Sequence, residues 1–265
     1  MREHQVNVDG PDCVLNVELL GDGEPVTLFA HGITGSTDEL APIAARVSGT
    51  RALMDFRGHG KSDAPPEDTG YDHPSMRRDL AFVADHSGAR NVVALSMGAG
   101  ATLNLLADEP DRFDRIVLIS PASIDGPNRA AAGLFLELAR RLENDPVDDV
   151  IAWSLGGAES LLERRPKWRD EIIARTRRMQ RVGTSRALRA YVHGRPPLAD
   201  ASALGRVRAP VLILAHRGDL IHDVAIAERL GDLFPNATVK VWDEPLAMFD
   251  DPDALGDVVE DFLRG

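Results

Sequence analysis

Ser96 lies in the run Ala94-Leu95-Ser96-Met97-Gly98-Ala99-Gly100, between an apolar strand-like stretch and a helical one. A serine on a strained strand-to-helix turn projects its hydroxyl above a sheet, at the positive end of the following helix. Small residues two before and two after it, here Ala94 and Gly98, keep such a turn free of clashes. A second run, His31-Gly32-Ile33-Thr34-Gly35-Ser36, directly follows another strand-like stretch. Glycines at a strand end let the chain turn sharply and aim backbone N–H groups at one point, where a developing oxyanion is stabilised. The two runs together describe nucleophilic attack on a carbonyl. A third run, Asp55-Phe56-Arg57-Gly58-His59-Gly60-Lys61-Ser62-Asp63, reads as a tight hydrogen-bonded loop in which His59 is structural.

The elements that must position these residues alternate regularly. Apolar runs at 6–8, 14–20, 26–30, 51–56, 91–95, 115–120, 211–215 and 238–242 read as strands. Several are continuously apolar, as a strand buried on both faces must be. Helical patterns at 38–47, 75–86, 97–107, 223–233 and 253–263 separate them, the signature of a mostly parallel sheet covered by helices. Residues 121–200 break the alternation with amphipathic stretches at 130–142, 147–155 and 168–181, and read as a helical insertion between two core strands. Their fourteen Arg or Lys against eleven Asp or Glu read as a solvated helical face.

In this order and spacing the three motifs resemble the α/β-hydrolase superfamily, and more narrowly its small lidded esterase, lactonase and cofactor-free peroxidase-like members. The resemblance runs over nearly the whole chain. It implies an α/β-hydrolase core over 1–120 and 201–265 and a helical lid over 121–200. It further implies Ser96 as nucleophile, the Ile33 and Met97 N–H groups as oxyanion donors, and Asp219, which follows the strand at 211–215, as the acid. No cofactor is required by such a fold.

The resemblance fails at one point. The family places its histidine on the loop after the last strand, shortly before an acidic-Pro pair. Here that loop reads Asp243-Glu244-Pro245-Leu246-Ala247-Met248-Phe249-Asp250, the histidine slot falls near Pro245 or Ala247, and no histidine follows His222. A serine hydroxyl without a base in hydrogen-bond reach is a poor nucleophile. Candidate substitutes are His31 beside the oxyanion loop, His216 and His222 flanking Asp219, His193 from the lid, and Glu244, which would need burial to serve. The leading expectation is hydrolysis of a small ester or lactone. The alternatives are a ligand-binding protein that has lost hydrolysis, or lyase, cyclase or isomerase chemistry without an acyl-enzyme.

Composition narrows the partners to small molecules. The net charge of −12 argues against nucleic acid and anionic membrane surfaces. No apolar run approaches the roughly 18 residues that span a bilayer, and the polar start Met1-Arg2-Glu3-His4 carries no export signal. The lone Cys13 leaves no internal disulfide, so a cytoplasmic protein is expected. The eight histidines show no metal-ligand spacing, and neither a Walker loop nor a dinucleotide fingerprint is present. Oligomeric state is left open, since surface patches decide it.

Overall fold

The computed structural model describes residues 3–66, 70–126, 128–219, 221–244 and 247–265. Eight strands form one sheet: β1 (Glu3–Asp9), β2 (Val14–Leu20), β3 (Val26–Ala30), β4 (Thr50–Met54), β5 (Asn91–Leu95), β6 (Arg115–Ile119), β7 (Val211–His216) and β8 (Ala237–Trp242). Their order is β1-β2-β4-β3-β5-β6-β7-β8, antiparallel at the first two pairings and parallel thereafter. Helices α1 (Thr37–Ala44), α2 (His73–Ser87) and α3 (Met97–Asp108) cross between the early strands. Five more, α4 (Ala132–Asn144), α5 (Val147–Gly157), α6 (Glu159–Arg164), α7 (Trp168–Arg178) and α8 (Arg181–His193), fill the connection from β6 to β7. The chain continues through α9 (Val224–Leu233) and β8 to α10 (Ala247–Asp250) and α11 (Pro252–Arg264).

Continuous apolarity in the central strands has the expected cause. Leu28, Val92 and Leu118 pack on the face covered by α2, α3 and α9, while Phe29, Val93 and Val117 pack on the face covered by α1 and α11. The architecture is therefore α/β, a mostly parallel sheet with helices on both faces. Among the described residues no helix is long and apolar enough to cross a membrane.

The expectation over 168–181 needs correction. The helix there ends at Arg178, and a separate helix, α8, runs from Arg181 to His193. The buried side of α8 is Gly183, Thr184, Ser185, Ala187 and Leu188, which is too small and too polar to show an apolar stripe in sequence. Small residues are what the position requires, because α8 lies backbone to backbone on the third motif. A Cβ at Gly183 would collide with Gly58. Gln180, just before α8, donates from Nε2 to the carbonyls of Gly60 (2.9 Å) and Ser62 (2.6 Å).

The third motif is a packed loop, as its residue types suggested. Asp55 accepts from Asn16 Nδ2 (2.9 Å), Thr37 N–H (2.7 Å) and Lys61 N–H (2.9 Å), tying β2, α1 and the loop together. His59 is buried and donates from Nδ1 to the Arg57 carbonyl at 3.0 Å.

Burial holds His59 neutral, with its pKa pushed down to about 3, and does the same to His73, pushed down to about 4. The unfolded chain takes up these protons near the ordinary histidine value of about 6.5. Below that pH the unfolded state binds more protons than the folded one, so stability is complete above about 6.5 and falls as the pH drops through it. Each histidine then contributes a slope of up to about 1.4 kcal/mol per pH unit. Urea denaturation between pH 7.5 and 5 is expected to show a steeper loss in the native sequence than in His73→Gln; equal slopes would place the His73 proton equilibrium elsewhere.

Candidate active site

Strand β5 ends directly at Ser96, whose backbone is forced to φ 49° and ψ −103° before α3 begins. A non-glycine residue there costs on the order of 1–3 kcal/mol and persists only where its surroundings over-determine it. The surroundings do so. Ser96 N–H donates to Ile119 O (2.9 Å) on the neighbouring strand, and Gly98 N–H donates to His31 O (3.2 Å). A Cβ at Gly98 would collide with the Ala30 carbonyl, so glycine at this position lets α3 approach β3.

The hydroxyl presented by this turn meets an imidazole. Ser96 Oγ lies 2.9 Å from His222 Nε2, and His222 Nδ1 lies 2.6 Å from Asp219 Oδ2. The tautomer with hydrogen on Nδ1 satisfies both contacts, donating to the carboxylate and accepting from the serine hydroxyl. The loop after β7 holds the pair in register: Asp219 Oδ1 accepts the N–H groups of Ile221 (2.7 Å) and His222 (3.2 Å). Burial works to raise the Asp219 pKa, but the His222 hydrogen bond and charge and the Ile221 N–H outweigh it and hold the carboxyl down at about 2. His216 Nε2 stands 3.3 Å from the same Oδ2, its ring edge-on to Phe249. Such a chain of carboxylate, imidazole and hydroxyl can transfer the hydroxyl proton as the oxygen attacks.

The loop after β3 lies against this serine. A Cβ built on Gly32 would stand 3.4 Å from Ser96 Cβ. The Gly32 carbonyl accepts from His31 Nδ1 (2.7 Å) and from Gly35 N–H (3.0 Å). In a trans peptide the N–H points opposite to the carbonyl, so these two bonds contribute to the direction of Ile33 N–H. Ile33 and Met97 are both buried.

A family model described as alpha/beta hydrolase fold matches residues 25–245. The chain belongs to this family. This α/β hydrolase is 30% identical over 234 residues to the dihydrolipoyllysine-residue acetyltransferase component of the acetoin cleaving system of Cupriavidus necator, covering 84% of the chain and 58% of that relative. It is 35% identical over 116 residues to the 2-(acetamidomethylene)succinate hydrolase of Mesorhizobium japonicum, covering 42% of the chain and 41% of that relative. The matches thus span about half the length of these curated relatives. Among solved structures, the enol-lactonase from Burkholderia xenovorans aligns with a TM-score of 0.81 at 20% identity, over 98% of this chain and all of that one.

The other sequence-derived candidates for a base in this α/β hydrolase lie in different surroundings. His31 is buried with both ring nitrogens engaged, since Nε2 accepts Phe56 N–H at 3.1 Å. Glu244 lacks the burial its role required: its side chain is 76% exposed and pairs with Arg165 at 3.2 Å. His193 is exposed at the end of α8. His216 faces Asp219. Of the family's usual histidine slot, Pro245 lies outside the described residues and Ala247 opens α10. Only His222, of these five candidates, stands within hydrogen-bond distance of Ser96. Sequence reasoning did not single out Glu39 or Arg175, which contact the loop beside Ser96; Arg175 read there as part of a solvated helical face.

Proposed function

We propose that this α/β hydrolase is a serine hydrolase acting on a small carboxylic ester or lactone. Ser96 attacks the carbonyl, His222 takes its proton and returns it to the leaving group, and Asp219 holds the imidazole in its working tautomer. Ile33 and Met97 N–H receive the oxyanion. The observation that carries this reading is the continuous contact from Asp219 through His222 to Ser96. The ligand-binding and non-hydrolytic alternatives were motivated by a missing base, and His222 supplies one.

The covering helices and the descriptions of the relatives fit this reading. Helices α4–α8 take the role of a lid, with Ala187 and Tyr191 of α8 facing Met97 of the serine turn across a void of about 10 Å³. The Mesorhizobium relative is named a hydrolase and the Burkholderia neighbour a lactonase, both descriptions of carbonyl chemistry.

Labelling with a fluorophosphonate probe tests the reading. The native protein is expected to label at Ser96, and both Ser96→Ala and His222→Ala are expected to remain unlabelled. A folded native protein that resists the probe would remove the activated hydroxyl and with it the acyl-enzyme route.

A further inference from the structure

The loop that would receive the oxyanion is held by a side chain from the helical insertion. Arg175, in the last turn of α7, donates from Nε to Thr34 Oγ1 (3.1 Å) and from Nη2 to the Ile33 carbonyl (3.1 Å). Its Nη2 also pairs with Glu39 Oε1 at 2.8 Å. The other carboxylate oxygen of Glu39 accepts Gly32 N–H at 2.9 Å. One guanidinium and one carboxylate therefore grip three consecutive residues, Gly32, Ile33 and Thr34. Thr34 sits at φ 68°, a conformation that a threonine holds only under constraint.

The peptide between Gly32 and Ile33, which carries the proposed oxyanion donor, lies between the two gripped points. Its neighbours on either side are fixed by Glu39 and by Arg175. We infer that Arg175 is a positioning residue for the Ile33 N–H, so that seating α7 over the site and aligning the oxyanion donor are one event. The inference rests on the hydrolytic reading above. A planar guanidinium can reach three acceptors at once, whereas an ammonium on a flexible stem is a point charge and cannot reproduce that fork.

The opposite end of α7 is fixed too, which gives Arg175 a stable base to act from. Asp250 of α10 accepts from Trp168 Nε1 (3.1 Å) and Arg165 Nε (2.5 Å), and its carbonyl accepts from Lys167 Nζ (2.6 Å).

The test compares Arg175→Lys and Arg175→Met with the native protein, using p-nitrophenyl acetate as substrate and a boronic acid as a tetrahedral adduct of the serine. Misplacement of a reacting group by about 1 Å can cost on the order of 100-fold, so both variants are expected to lose about 10- to 100-fold in kcat. KM should stay within about threefold, and boronic acid affinity should fall in proportion to kcat. A rise in KM alone would make Arg175 a substrate-binding residue and overturn the inference. Full kcat in the Met variant, or a fall in kcat with undiminished boronic acid affinity, would overturn it as well. Arg175→Lys keeps the charge and most of the length, so it separates loss of the fork from loss of the fold. Native protein that forms no Ser96-dependent boronic adduct would overturn the hydrolytic reading itself, whereas native and variant proteins that bind it equally would overturn the positioning role alone.

Discussion

His222→Ala is expected to lower Ser96-dependent turnover by about 10⁴-fold or more, with KM little changed. On the proposed reading the imidazole, 2.9 Å from Ser96 Oγ, accepts the serine proton, and among the described residues no other side chain is hydrogen-bonded to that hydroxyl. Asp219→Asn should fall in the same range of about 10⁴-fold, because an amide donating towards Nδ1 would stabilise the wrong tautomer. Two controls sharpen the result. Glu244→Gln should leave kcat unaltered, since that carboxylate is exposed and paired with Arg165. A histidine introduced at the family's usual position, Ala247→His, should not restore the His222→Ala protein, because residue 247 now begins a helix. Steady-state kinetics on p-nitrophenyl acetate decides the matter: a His222→Ala protein within tenfold of native would mean that another group takes the proton.

The second large effect is on stability. Arg57 is 1% exposed and Asp79 is fully buried, joined by two bonds, Nε to Oδ2 at 2.7 Å and Nη2 to Oδ1 at 2.6 Å. Arg57 also donates to Asp12 (2.9 Å) and to the Gly70 carbonyl (3.1 Å). Removing Asp79 leaves the buried guanidinium with only the half-exposed Asp12 as counter-charge, and Asp79→Ala is expected to cost about 3 kcal/mol. Against a total of about 5–15 kcal/mol for a domain, that is a large share of the stability. Replacing both charges with apolar groups, Arg57→Met with Asp79→Leu, should recover most of the loss, since burying two ions is itself costly. Urea midpoints of the native protein and the two variants measure this directly. A single variant within 1 kcal/mol of native would show that water reaches the guanidinium.

The fold was largely written in the local chemistry of the chain. Central strands such as Val26–Ala30 and Asn91–Leu95 are buried at every position and apolar at all but one, Thr27 and Asn91 respectively, because both sheet faces are covered. The serine turn was readable because Gly98 has to let α3 pass close to β3. Helix α8 was not readable, since it packs through glycine, alanine and short hydroxyl side chains against backbone, and that contact leaves no apolar stripe. His222 could be named as a candidate but not selected. Its selection depends on the backbone turn that swings a residue three after Asp219 back over the serine, and residue types alone do not specify that turn. Arg175 was hidden by its surroundings: one arginine among several on a polar helix reads as solvated, and only the three-dimensional path of the loop after β3 sets it apart.

The placement of Asp219 and His222 within one short turn changes what the rest of the sheet has to do. Where a base follows the last strand, its distance from the acid is set by two separate loops, and slack in the final strand and helix appears at once as lost turnover. Here the proposed acid and base are tied to each other through the Ile221 and His222 N–H groups, one strand inside the sheet edge. On this reading strand β8, at that edge, supplies no residue to the reaction. The carboxy-terminal border would then reach the site only indirectly, through Asp250 under α7 and Phe249 against His216, and the stretch beyond α10 can be lengthened or fused without moving the proposed acid and base relative to each other.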